Sequence, residues 1–284
     1  MKKNQLHHQP FIMGNVLSKI FVDAKNRVKS FTNPDLKKAG LNWFKIRILK
    51  YASYNKPGVY HLKGRNVHFN NGIEILHSLK EIFAEDIYKI KFDTPTPYII
   101  DCGANIGLSI LYYKQIAPLA HIVAFEPDLN NYGLLQKNTE GLSDVEIHKK
   151  AIWKANTTLQ FAASGTLSSK IVSNQATDTI NIEAVRLKDY LCKPIDFLKL
   201  DIEGAEYEVL KDCSEDLKMA KNIFIEYHGN FNTTNQLNEI LDILVKNQFT
   251  YYIKEADKIY PTPFYRESKN PMYDVQLNIF CFKV

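Results

Sequence analysis

The stretch Tyr98-Ile99-Ile100-Asp101-Cys102-Gly103-Ala104-Asn105-Ile106-Gly107 decides how this chain is to be read. Apolar residues make a short strand, an acid closes it, and two glycines flank the start of a helix expected over 105–117 and stopped by Pro118. In open α/β sheets a ligand lies beyond the carboxyl ends of the strands, where strand order reverses. Asp101 stands at such an end. Gly103 can adopt a conformation other residues avoid, and its missing side chain lets a ligand approach the backbone. The following helix N-terminus offers N–H groups to a ligand's carboxylate. The spacing is Gly-x-x-x-Gly, not the Gly-x-Gly-x-x-Gly that cradles a pyrophosphate, and a glycine pair by itself equally serves strand–helix packing.

The next elements raise its value. His121–Phe125 is a second strand, and Glu126 ends it where an acid typically accepts both ribose hydroxyls. Pro127 then turns the chain out of the strand. The competing role for Glu126 is a helix cap, but Asp128 already fits that position before a helix running to about Gly141. Val145–His148 is a third strand. Strand, turn, helix, strand and acid together point to a nucleoside.

Alternation of strands and helices continues through Ile195–Leu200, a helix from Ala205, Asn222–Tyr227 and a helix at 234–246. Such a rhythm implies a parallel sheet covered on both faces. Between 157 and 185 the pattern is β-rich without clear helices, which predicts a small antiparallel insertion. Phe249–Ile253 and Val275–Phe280 have only a loop between them, so they are expected to pair as antiparallel neighbours at one edge. Residues 1–94 read differently: helical patterns at about 11–30 and 35–54, a hairpin of Gly58–Leu62 and Asn66–Phe69 about a glycine turn, and a mostly apolar helical stripe from Ile73 up to Asp93. Thr94-Pro95-Thr96-Pro97 separates this extension from a second domain, 95–284.

Composition excludes several classes. The 284 residues are 45% hydrophobic and 24% charged, as in globular proteins, and the net charge of +5 is spread along the chain rather than gathered into a nucleic-acid-binding arm. Cys102, Cys192, Cys213 and Cys281 are far apart and form no CxxC pair, which argues against a zinc site or disulfide framework. No apolar run reaches membrane-spanning length. The N-terminus lacks a secretory core, so a cytoplasmic location is the default expectation. The segment from Phe11 to Phe31 suits packing against its own protein, with peripheral membrane contact as the weaker reading, and the extension offers a possible homodimer surface.

With these residues in view the sequence resembles the FkbM family of S-adenosylmethionine-dependent methyltransferases. The matching stretches are Ile100–Gly107, Ala124-Phe125-Glu126-Pro127, Ala151-Ile152, Ile225-Glu226-Tyr227-His228 and above all Phe197-Leu198-Lys199-Leu200-Asp201-Ile202-Glu203-Gly204-Ala205-Glu206. The resemblance implies a Rossmann-like class I methyltransferase fold, with a mostly parallel seven-stranded sheet and an antiparallel edge strand. It implies S-adenosyl-L-methionine as cofactor, with Asp101, Gly103, Ala104, Asn105 and Gly107 around its methionine part and Glu126 on its ribose. Asp101 would face the ammonium and sulfonium. Ala151, in Lys149-Lys150-Ala151, would border the adenine through backbone groups. Family members generally methylate hydroxyl oxygens of sugars or secondary metabolites, so a small-molecule or glycan acceptor is expected.

Methyl transfer from a sulfonium needs alignment and removal of the acceptor's proton. Asp201 ends a core strand, Glu203 sits in the turn after it, and His228 stands two from Glu226, on the same face of its strand. Asp201, Glu203 and His228 are therefore the catalytic candidates, with His228 or a carboxylate of the turn as base, while Glu206 reads as structural. The same three could alternatively hold a divalent cation. No further carboxylate pair lies downstream and the resemblance requires no metal, so none is expected. The loop 257–274 carries Tyr260, Phe264, Tyr265, Tyr273 and Arg266, which either stack over an acceptor or tuck onto the sheet. Two alternatives stand beside this reading: a nicotinamide-dependent oxidoreductase and a non-catalytic nucleoside-binding module.

Overall fold

The computed structural model describes residues 34–162, 179–266 and 271–283. The helix expected at 11–30 lies outside them. The chain divides between Ile87 and Tyr88 into two units. The sequence placed the junction at 94/95; Tyr88 instead belongs to the second unit, where it packs on Tyr113 and Phe224 at centroid distances of 5.8 and 5.0 Å.

In the first unit the continuous helix expected over 35–54 is broken into α1 (Pro34–Lys38) and α2 (Trp43–Arg47), with α2 running on as a wider turn to Ala52. Gly40 between them has φ +65, which ends the first helix, and the Asn42 side chain caps the second by accepting from Lys45 N. The hairpin forms as β1 (Gly58–Leu62) and β2 (Arg65–Phe69). Its turn residues Lys63 and Gly64 both have positive φ, the backbone that matches the twist of a two-residue hairpin. Helix α3 (Gly72–Ser78), extended by a wider turn over Leu79–Ala84, buries Ile75, Leu76, Leu79 and Phe83, and the hairpin buries Leu62, Val67 and Phe69.

The second unit is built on a seven-stranded sheet. Its strands are β3 (Tyr98–Cys102), β4 (His121–Phe125), β5 (Val145–His148), β9 (Phe197–Leu200), β10 (Asn222–Gly229), β11 (Thr250–Glu255) and β12 (Val275–Phe282). They lie in the order β11-β12-β10-β9-β3-β4-β5. All neighbouring pairs are parallel except those of β12, which runs antiparallel to both β10 and β11. The antiparallel pairing of the last two strands is as expected. β6 (Ala151–Trp153), β7 (Thr157–Ala162) and β8 (Thr179–Arg186) make the insertion as a three-stranded sheet, β7–β8 antiparallel and β6–β8 parallel.

Helices α4 (Leu108–Ile116) and α5 (Leu129–Thr139) follow β3 and β4, and α6 (Glu206–Asp212) and α7 (Asn235–Lys246) follow β9 and β10. From β3 the chain winds through β4 to β5 in one direction, and from β9 to β10 in the other. Right-handed crossovers therefore put α4 and α5 on one face and α6 and α7 on the other. Strand order reverses between β3 and β9, and the ends of these two strands, at Cys102 and Leu200, are register partners. The candidate residues gather beyond that point.

Candidate active site

A cavity of about 400 Å³ opens over the carboxyl ends of β3, β4, β9 and β10. One wall carries Gly103, Asn105 and Glu126, with Ala151 beyond them, and the opposite wall carries Asp201, Glu203 and His228. Seven of the ten sequence candidates thus meet there. Asp101, Ala104 and Gly107 do not reach the lining, and the reason in each case is visible.

Asp101 is fully buried. One carboxylate oxygen accepts from Ser109 Oγ at 2.5 Å, and the other lies 3.3 Å from Lys199 Nζ, an ion contact without hydrogen-bond geometry. Lys199, inside the otherwise apolar β9, also reaches Asp201 Oδ2 at 3.2 Å and donates to Gly103 O at 2.7 Å. Burial alone would depress this ammonium, but Asp101 and Asp201 reverse that and hold it above its usual range. Asp101 is thus the counter-charge of a buried lysine rather than a partner for a ligand's cation. Lys199 was part of the quoted motif but had no role in the sequence reading. Its signal was a charged residue in the middle of a buried strand.

Gly103 adopts the left-handed conformation expected of it, and its missing side chain also serves a neighbouring turn of the fold. Its φ is +87, and an added Cβ would stand 1.8 Å from the carbonyl oxygen of Asp201. The missing side chain makes room for the β9 turn. Gly107, with φ +90, caps α4 and gives way to Leu135 of α5, which a Cβ would meet at 2.8 Å. The N–H groups of the turn are engaged within the protein. Gly103 and Ala104 donate to Phe125 O, Gly107 donates to Ala104 O, and Asn105 donates to Glu126 Oε2 at 2.8 Å. A ligand's carboxylate does not find these four donors free. Asn105 itself has φ +48, a backbone that asparagine tolerates, and it lines the cavity.

Glu126 is buried against the cavity. Its second oxygen accepts from Asp128 N at 2.9 Å, while Asp128 separately caps α5 through Asn130 N and Asn131 N. Burial pushes the Glu126 carboxyl up to about 7 despite these two backbone donors.

Across the cavity, Glu203 adopts φ +57, a backbone that costs a non-glycine residue about 1–3 kcal/mol. Tyr273 holds it there by donating from its hydroxyl to Glu203 O at 2.6 Å. Glu206, which the sequence marked as structural, closes the turn from below. Its carboxylate accepts from Ile202 N and Gly204 N at 3.1 Å and faces His228 Nδ1 at 3.2 Å. A carboxylate only accepts, so Nδ1 carries a proton. Nε2 is left facing Glu226 at 3.6 Å and Glu203 at 3.7 Å. Burial disfavours charge on His228, but Glu206, Glu203 and Asp201 outweigh it and raise the group. Burial in turn raises Glu203, against the pull of His228. The carboxylates around His228 therefore favour its imidazolium form, which cannot take a further proton. The expectation of His228 as base does not fit this surrounding.

The loop aromatics divide. Tyr273 packs on His228, and Tyr260 stacks on Phe231 and donates to Asp274. Phe264 and Tyr265 stay exposed. Arg266 lies over the Phe231 ring at 4.7 Å. Lys150 and Ile152 border the cavity beside Ala151, and Lys150 pairs with Glu183 at 2.6 Å.

Comparison with known proteins bears on this arrangement. Residues 101–252, a little over half of the chain, match the Methyltransferase FkbM domain. Methyltransferase sdnD of Sordaria araneosa is 32% identical over 194 residues, spanning 54% of this chain and 75% of that protein. Methyltransferase 1 of Beauveria bassiana is 28% identical over 199 residues, spanning 59% and 79%. The 2-O-methyltransferase NoeI of Sinorhizobium fredii is 27% identical over 176 residues, spanning 54% and 72%. The oxidoreductase alternative falls with these matches, and the chain, with its sheet reversing between β3 and β9 and its cavity at that reversal, belongs to the FkbM methyltransferase family.

Proposed function

We propose that the protein transfers a methyl group from S-adenosylmethionine to a hydroxyl oxygen of a sugar or other hydroxylated metabolite. The observation that carries this is the shared cavity, with a nucleoside-type wall on one side and an acid–histidine wall on the other. Its volume lies within the roughly 300–1,000 Å³ of small-molecule sites.

The residues fit the cofactor. Each Glu126 oxygen accepts one backbone N–H, and a carboxylate oxygen has a second lone pair, so two ribose hydroxyls can be received. Pro127, Ala151 and Ile152 give an apolar bed for a base. When bound, the cofactor supplies a methyl already activated on a sulfonium. What the chain must add is alignment of the acceptor's oxygen and a way for its proton to leave. Asp201, Glu203 and His228 face that side. Beyond them Asn230, Thr233 and Gln236 border the cavity with groups that both donate and accept, as a hydroxyl-rich acceptor needs. The relative named as a 2-O-methyltransferase supports oxygen as the methylated atom.

Calorimetry with S-adenosylhomocysteine and with NAD tests the donor: the former should bind and the latter should not. A methyl-transfer assay over sugars and small hydroxylated metabolites, with the product's O-methyl group located by NMR, tests the acceptor. Binding of NAD in preference to S-adenosylhomocysteine would overturn the reading.

A further inference from the structure

The acid–histidine wall has a geometry that proton transfer alone does not require. One ligand atom from each of Asp201, Glu203 and His228 lies within 4.8 Å of the other two. Ligands on one cation with bonds of about 2.1 Å stand up to roughly 4 Å apart, so small side-chain movements close the set around an ion. Among the described residues these three form a group that meets this condition.

Three further observations single out a cation. His228 is oriented as metal-bound histidines are: its Nδ1 is fixed by the buried carboxylate of Glu206, which leaves Nε2 toward the cavity. Glu226 Oε1 lies 3.6 Å from Nε2 and adds a further negative charge beside it. Across β12, Asn278 is the register partner of Glu226, so the two share a face. The Asn278 side chain is 1% exposed, and its Oδ1 has no hydrogen-bond partner among the described residues. Lys199, which reaches Asp201, is divided between that carboxylate and Asp101.

We propose that Asp201, Glu203 and His228 Nε2 bind a divalent cation of the Mn²⁺ class, with Glu206 as the supporting carboxylate behind the histidine. Carboxylate oxygens suit Mg²⁺ and Mn²⁺, and an imidazole shifts the preference toward first-row ions, so Mn²⁺ satisfies both. Three protein ligands leave coordination positions open to water and to a substrate oxygen. The site's role rests on the methyl-transfer reading: an acceptor hydroxyl bound to the cation becomes more acidic, its proton leaves to water as the oxygen bonds to the methyl carbon, and the bond from that carbon to the sulfonium breaks with its electron pair staying on sulfur, which releases S-adenosylhomocysteine. The cation site itself does not rest on that reading.

The test is a Mn²⁺ titration of the full chain, followed by the loss of the free ion's electron paramagnetic resonance signal, with S-adenosylhomocysteine calorimetry run in parallel. One Mn²⁺ per chain is expected. Glu203→Gln and His228→Gln should each weaken it tenfold or more, and Glu206→Gln by about 10–100-fold, the range for a supporting partner. Retained S-adenosylhomocysteine binding shows that a variant is folded. No Mn²⁺ binding to the wild-type chain, or binding indifferent to all three substitutions, overturns the proposal. Mn²⁺ binding without S-adenosylhomocysteine binding would leave the cation site standing and remove the methyl-donor reading.

Discussion

Glu126 links the buried wall of the cavity to a measurable pH dependence. Its carboxyl is raised from 4.5 to about 7, burial being the largest cause. Ribose hydroxyls donate to a carboxylate and favour its ionised form, so a cofactor must draw the group into that form on binding. At about pH 5.5 this ionisation costs roughly 1.5 × 1.36, or about 2 kcal/mol, which is about thirtyfold in affinity. S-adenosylhomocysteine should therefore bind about thirtyfold more weakly at that pH than at about pH 8, with the midpoint of the change near 7. Folding carries the opposite sign. A carboxyl raised in the folded state binds protons more tightly there, so this group's contribution to stability falls as pH rises from about 4.5 to 7, by about 3 kcal/mol in all. Glu126→Gln removes both dependences. It gains from deleting a buried charge but presents an NH₂ to Asn105 N or Asp128 N, and losing that acceptor costs about 1–3 kcal/mol. The two effects nearly cancel, so the variant should be about as stable as wild type at pH 8 and bind weakly at every pH. Isothermal calorimetry across this range reads affinity, and urea unfolding reads stability. Wild-type affinity that stays flat between pH 5.5 and 8, or a variant that keeps the wild-type slope, would refute the argument.

Two further substitutions test the scaffold. Gly103→Ala must relieve a Cβ at 1.8 Å from Asp201 O and hold φ near +87; the left-handed backbone costs about 1–2 kcal/mol and the overpacking about 1–3, so urea unfolding should show a loss of about 2–5 kcal/mol. A loss under 1 kcal/mol would mean the β9 turn moves freely. Lys199→Met leaves the fully buried Asp101 without its counter-charge and should cost about 3–5 kcal/mol, part of which Asp101→Asn restores when added. Additive losses in the double variant would show that the two residues do not act as a pair.

The local elements were legible because their causes are local. His121–Phe125 and Val145–His148 form at the residues expected, since short apolar runs bounded by turn residues specify strands without distant help. Asp128 caps its helix as read, from chemistry within three residues. The continuous helix expected over 35–54 is broken at Gly40, whose positive φ is likewise a local cause. The candidate site was legible as a set of residue types at strand ends. The turn from Asp101 to Gly107, the acid at Glu126 and the run from Lys199 to Glu206 were each visible in the sequence.

Which of these line the cavity was decided only by the tertiary structure. Lys199 reaches Gly103 across 96 positions of sequence, and His228 meets Glu206 across 22. Such contacts depend on strand order and register, which no spacing along the chain records. The sheet turns Asp101 inward to a lysine and reserves Gly103 for a neighbouring carbonyl. It also encloses His228 among carboxylates that favour its charged form. The sequence determined which groups stand at the ends of the strands; packing between strands far apart in the chain decided which of them are scaffold and which line the cavity.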